Sequence, residues 1–152
     1  MYRSSKIIEG FSTCFRQWRA KETHCSKLHG YAISFKVVFE AENLDHRNWV
    51  QDFGFMSRSK AEIDGKNLKD WFKYMFDHTT IIAADDPHLN HFIKLDDEGV
   101  LSLRILDRTG CECFAELIYA NLNRVVKSES GGRVRVYSVE CIENMKNSAI
   151  FY

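Results

Sequence analysis

The sequence has 152 residues, 45% of them hydrophobic and 13% aromatic, enough to bury a core. Lys plus Arg and Asp plus Glu number 21 each, so the formal net charge is zero; no basic field argues for nucleic acid and no polybasic run for a membrane surface. No stretch approaches the roughly eighteen apolar residues of a transmembrane helix. The opening MYRSSKIIEGF lacks the apolar centre of a signal peptide. Five cysteines, an odd number, fit reduced thiols in a cytoplasm better than a disulfide framework.

In chain order, residues 6–16 read as a strand with Phe11, Thr13 and Phe15 on one face. GYAISFKVVFE (30–40) alternates throughout, with Tyr31, Ile33, Phe35, Val37 and Phe39 on a buried side. ENLDHRNW is a loop, and VQDFG ends in a glycine placed to start a helix. Leu68, Trp71, Phe72 and Met75 recur at i, i+3, i+4 and i+7, an amphipathic helix running to about Phe76. DDPHLN is a loop and VLSLRIL (100–106) a short strand. Phe114, Leu117, Ile118, Leu122 and Val125 mark a second helix, with Thr109 and Glu112 spaced as a capping box and ESGG as its stop. RVRVYSVECIE alternates again, and SAIFY is a last strand. Long alternating strands imply an α+β domain over 1–152, an antiparallel sheet with helices on one face.

Several residues have the chemistry of a site. In CSKLHGY (25–31), His29 and Tyr31 are two apart on a strand and share a face; two histidines so placed would be half of a zinc site, but one histidine and one tyrosine are not. Cys25, flanked by His24 and Lys27, is either a thiol activated for acid–base or nucleophilic work or an inert one. Asp77 beside His78 is a carboxylate–imidazole pair or a helix terminus with a histidine at the dipole. Glu140 falls in register with Val134, Val136 and Ile142, hence on the expected inward face, where a carboxylate needs a partner or a ligand. Cys111 and Cys113 form a C-x-C with no second pair, which argues against metal there.

Taken in order, these fragments resemble the 6-pyruvoyl-tetrahydropterin synthase family, which includes 6-carboxy-tetrahydropterin synthase of queuosine biosynthesis. FSTCFR (11–16) stands where the family has F-S-A-A-H-R, CSKLHGY where it has C-x-x-x-H-G-H, and Asp52-Phe53-Gly54 at its D-F-G. FDH (76–78) stands at its L-D-H, TGCE (109–112) at its T-S-E or T-T-E, and Glu140 at its late glutamate. The resemblance implies a tunnelling fold, a four-stranded antiparallel sheet with two helices on one face, whose sheets join between subunits into a barrel, as a trimer or hexamer with active sites between subunits. It implies that Glu140 anchors the guanidine-like edge of a pterin, its two oxygens matching paired N–H donors, with Glu112 near the same pocket. It also implies that Cys25, Asp77 and His78 move protons, and that three histidines hold zinc.

The departures matter. The three zinc positions match Phe15, His29 and Tyr31, so one histidine remains; a phenyl ring cannot ligate and neutral tyrosine is a poor zinc ligand. His24 is the loop residue placed to swing in, while alternation turns Cys14 to the other face. The reading is therefore a cytoplasmic lyase or synthase acting on 7,8-dihydroneopterin triphosphate or a related pterin without a metal cofactor. In it Tyr31 donates a hydrogen bond where zinc once polarised oxygen. The alternative is a non-catalytic pterin- or purine-binding protein of the same fold.

Overall fold

The computed structural model describes residues 1–152. Its main sheet is four-stranded and antiparallel, with strands β1 (Tyr2–Ile8), β4 (Ser34–Ala41), β9 (Val134–Ile142) and β10 (Ser148–Phe151) in that spatial order. A second sheet is mixed, ordered β3-β2-β7-β8, from β2 (Thr13–Phe15), β3 (His29–Tyr31), β7 (Thr79–Ala83) and β8 (Leu103–Leu106). In it β2 runs antiparallel to β3 and parallel to β7, which is parallel to β8. Strands β5 (Glu62–Ile63) and β6 (Lys66–Asn67) form a small hairpin. The helices are α1 (Phe55–Arg58), α2 (Leu68–Phe76), α3 (Leu89–Asp97) and α4 (Cys111–Glu129).

The two expected helices are present and pack on the main sheet. The Asn67 side-chain oxygen caps α2 by accepting from the Asp70 N–H at 2.9 Å. Its buried stripe, Leu68, Trp71, Phe72, Met75 and Phe76, meets Phe35 of β4, with ring centroids 5.9 Å from Phe72 and 4.8 Å from Phe76. Helix α4 buries Phe114, Ile118, Leu122 and Val125 against β9. These side chains and Phe15 and Ile81 of the second sheet belong to one hydrophobic cluster.

The second sheet corrects several expectations. The strand foreseen over 6–16 is two strands: β1 begins at Tyr2, and Gly10 at φ +94° turns the chain toward β2. The strand foreseen over 30–40 also divides, because β3 pairs with β2 while β4 stays in the main sheet. Strand β7 is buried at all five positions, so it shows no alternation to read. Helix α3 was not foreseen: its short apolar stripe, Leu89, Phe92 and Ile93, is only half-buried, and part of DDPHLN lies inside it. The capping box does not form: Gly110 precedes α4, and the Thr109 hydroxyl donates instead to the Arg16 carbonyl at 2.6 Å.

The inward placement of Glu140 is also corrected. Val38 and Phe39 of β4 pair with Ser138 and Val136, leaving Tyr137 as an extra residue, a β-bulge, in β9. Val134 and Val136 face the core before it; Val139 and Cys141 do so after it. Glu140 therefore lies on the opposite face, beside Lys36 and Ile150, where its carboxylate accepts from the Ser148 hydroxyl at 2.6 Å.

Candidate functional site

Pairing of β2 with β3 sets Phe15 opposite His29 and Thr13 opposite Tyr31. The Phe15 ring, 2% exposed, stacks on Tyr31 at 4.2 Å between centroids and 14° between planes. The Tyr31 hydroxyl lies 2.8 Å from His29 Nε2 in a hydrogen bond. Burial raises the Tyr31 phenol to about 12, and Glu143, Cys25 and Cys111 act in the same direction. Tyr31 is therefore a protonated hydroxyl at neutral pH.

Cys25 sits in a single 3-10 turn, His24–Ser26, where its N–H donates to the Thr23 hydroxyl at 3.2 Å. Its carbonyl accepts from the Gln17 N–H at 2.8 Å. This turn is fastened from below by Arg16, which donates twice to Asp86, from Nε and Nη2 at 2.7 Å each, and once to the Ser26 carbonyl at 3.0 Å. The Asp86 side chain is 1% exposed. Burial opposes its charge, but the Arg16 hydrogen bonds and the His88 N–H outweigh burial and hold it below the usual carboxylate range. Gly110 completes the floor: at φ +122°, any Cβ there would stand 2.7 Å from Gln17 Nε2. The Gln17 amide thus lies over the start of α4, with Glu112 close by.

Cys111 and Cys141 meet behind this surface. A hydrogen bond from Cys111 and burial push the Cys141 thiol strongly up, with Glu112 and Glu143 adding to the effect. Cys141 therefore does not suit nucleophilic work, because the thiolate is the reactive form. Glu143, in the turn after β9, is the carboxylate whose charge helps raise Tyr31, whereas Glu140 points from the other side of the sheet. Arg16, Gln17, Asp86 and Glu143 were not singled out from sequence. A carboxylate just past the end of an alternating run was the one visible signal for Glu143.

Asp77 and His78 are placed elsewhere. Asp77 ends α2, its carboxylate accepts from the Ser12 N–H at 3.1 Å, and His78 Nδ1 lies 3.1 Å from the same oxygen. So this adjacent pair does make contact, helped by the positive φ of His78, +56°. But Ser12 and Gln17 flank β2 at opposite ends, and five extended residues span about 16 Å. Within one chain the pair is thus remote from Cys25.

The three positions that correspond to zinc histidines are adjacent, yet they do not fit a zinc ion. Phe15 presents only carbon, Tyr31 is held protonated, and the His29 Nε2 is engaged by the Tyr31 hydroxyl. His24 is exposed, its ring 6.3 Å from that of His29. Cys14 faces away and contacts the Thr80 hydroxyl at 3.1 Å.

The sequence profile described as 6-pyruvoyl tetrahydropterin synthase matches residues 5–152. Among solved structures, an uncharacterized protein from Wolinella succinogenes, WS1659, is similar with a TM-score of 0.79 at 20% identity, covering 99% of this chain and 97% of that one. The 6-pyruvoyl tetrahydropterin synthase of Caenorhabditis elegans is similar with a TM-score of 0.62 at 17% identity, covering 99% and 94%. That of Plasmodium vivax gives 0.64 at 13% identity, covering 99% and 98%. At these identities the structures speak to the fold. No curated protein matches the sequence.

Proposed function

The chain belongs to the 6-pyruvoyl tetrahydropterin synthase family, and on that premise we propose that it is a cytoplasmic pterin-directed lyase or synthase acting without a metal on 7,8-dihydroneopterin triphosphate or a related pterin. The observation that carries this reading is the Tyr31 hydroxyl bonded to His29 Nε2 on β3, with Cys25 in the turn just before that strand and Glu112 at the start of α4 beside Gln17. A carboxylate with two acceptor oxygens suits the paired N–H donors of a pterin's pyrimidine edge. In this proposal Glu143 is the anchor, in place of Glu140, and Glu112 lies beside it. Cys25 exchanges the proton next to the reacting oxygen, and Tyr31, oriented by His29, donates a hydrogen bond to that oxygen. Asp77 and His78 join from a neighbouring subunit, in a trimer or hexamer whose sheets meet as a barrel.

The test is pterin binding and turnover by the purified chain. Glu143→Ala is expected to lose binding and Glu140→Ala to keep it; the reverse result overturns the assignment. Cys25→Ala is expected to bind pterin and abolish turnover. Binding by the wild type with no turnover of any dihydropterin makes the chain a pterin- or purine-binding protein instead.

A further inference from the structure

His88 and His91 form a second site candidate, away from the strand residues discussed so far. They sit one turn apart at the start of α3, and the His91 N–H donates to the His88 carbonyl at 3.0 Å. Their rings lie nearly parallel, 21° apart, with centroids separated by 5.4 Å. The two Nδ1 atoms face each other at 3.3 Å.

That distance is informative. One ring donates to the other there in an N–H···N hydrogen bond, so a metal ion would take the place of the shared proton. Two imidazole nitrogens bound about 2.05 Å from a tetrahedral ion are about 3.3–3.4 Å apart. The pair therefore already has the bite of two ligands on one late transition-metal ion. Both side chains are exposed, so solvent can reach the midpoint. The mount is firm: the Asp86 carboxylate accepts from the His88 N–H at 2.8 Å while Arg16 holds it from the other side. By contrast, the partner of the His29 Nε2 is the Tyr31 hydroxyl, not a second imidazole.

We propose that His88 and His91 chelate a divalent late transition-metal ion of the zinc class through their two Nδ1 atoms, with water filling the remaining positions. No third His, Cys, Asp or Glu stands close enough to complete the set, so the site is a half-site of moderate affinity. It is independent of the pterin reading. It also bears on any metal analysis, because zinc carried by the purified chain would be bound here and not between β2 and β3.

The experiment is calorimetric titration of the chelator-stripped full-length chain with zinc chloride, alongside NMR of the histidine ring protons. One equivalent is expected to bind saturably, and the His88 and His91 ring signals to move together. His88→Ala and His91→Ala are each expected to weaken binding at least about tenfold. His29→Ala, Cys25→Ala and the surface control His46→Ala are expected to bind as the wild type does. Circular dichroism of each variant separates loss of ligand from loss of fold. Absence of saturable binding, unchanged binding by the His88 and His91 variants, or loss of binding in the His29 or Cys25 variant would overturn the proposal.

Discussion

The two ends of strand β2 are built differently. At its C-terminal end, Arg16 joins Asp86, the Cys25 turn and Thr109, with Asp86 almost fully covered. At its N-terminal end, Asp77 is tied to Ser12, but the His78 side chain is 85% exposed. One end is complete within a single chain. The other presents a carboxylate-oriented imidazole to solvent, as the proposed inter-subunit site requires. Rigidity has been placed where a ligand would be held, and an outward-facing acid–base pair where a neighbour would be met.

The largest effect is expected on breaking the covered end. Asp86→Ala strands the Arg16 guanidinium, and removing one partner of a buried pair costs about 3 kcal/mol or more. Chemical denaturation should show this loss, whereas His78→Asn, which tolerates the positive φ there, should stay within about 0.5 kcal/mol as an exposed substitution. Equal effects would erase the contrast between the ends. The next effect concerns sharing of the site. Cys25→Ala and His78→Ala subunits, each inactive alone, are expected to recover about a quarter of wild-type turnover per site when co-assembled at random, since one chain then supplies each missing group. No recovery would place both groups in the same chain's site.

The smallest effect is a pH dependence. Tyr31 has its folded pKa raised from an ordinary value near 10 to about 12. The unfolded chain releases that proton first, so stability is unaffected below about pH 10 and falls as pH rises toward 12. Denaturation curves over that range should show this decline in the wild type and a shallower one in Tyr31→Phe.

What was legible in the sequence follows from periodicity. Helix α2 and helix α4 were visible because Phe72, Met75, Ile118 and Leu122 recur with a helical period on one buried side. Strands β4 and β9 alternate for most of their length. The second sheet was not legible as such: β7 is buried on both faces, and β2 and β3 are three residues each, too short to show a period. At the candidate site, Cys25, His29 and Tyr31 were legible because chemistry and spacing coincide in one heptapeptide, and Phe15 through the motif resemblance. Arg16 and Asp86 were not, since their pairing spans seventy residues. Glu140 was assigned the wrong face because alternation was carried across an extra residue that nothing in the composition marks.

That extra residue, Tyr137, behaves like an inserted letter in a message read two at a time. Upstream of it the even-numbered side chains of β9 go to the core; downstream the odd-numbered ones do. The single strand thus carries two phases, and only the second delivers Glu143 to the side of Tyr31. Deleting Tyr137 would remove the bulge and leave the pairings on either side of it intact, so Val139 and Cys141 would stay inward and Glu140 outward in a strand of one unbroken phase. A relative lacking this insertion would present the same acid to the same place one position earlier in its count, so equivalence along this strand has to be counted from its far end, at the turn into β10.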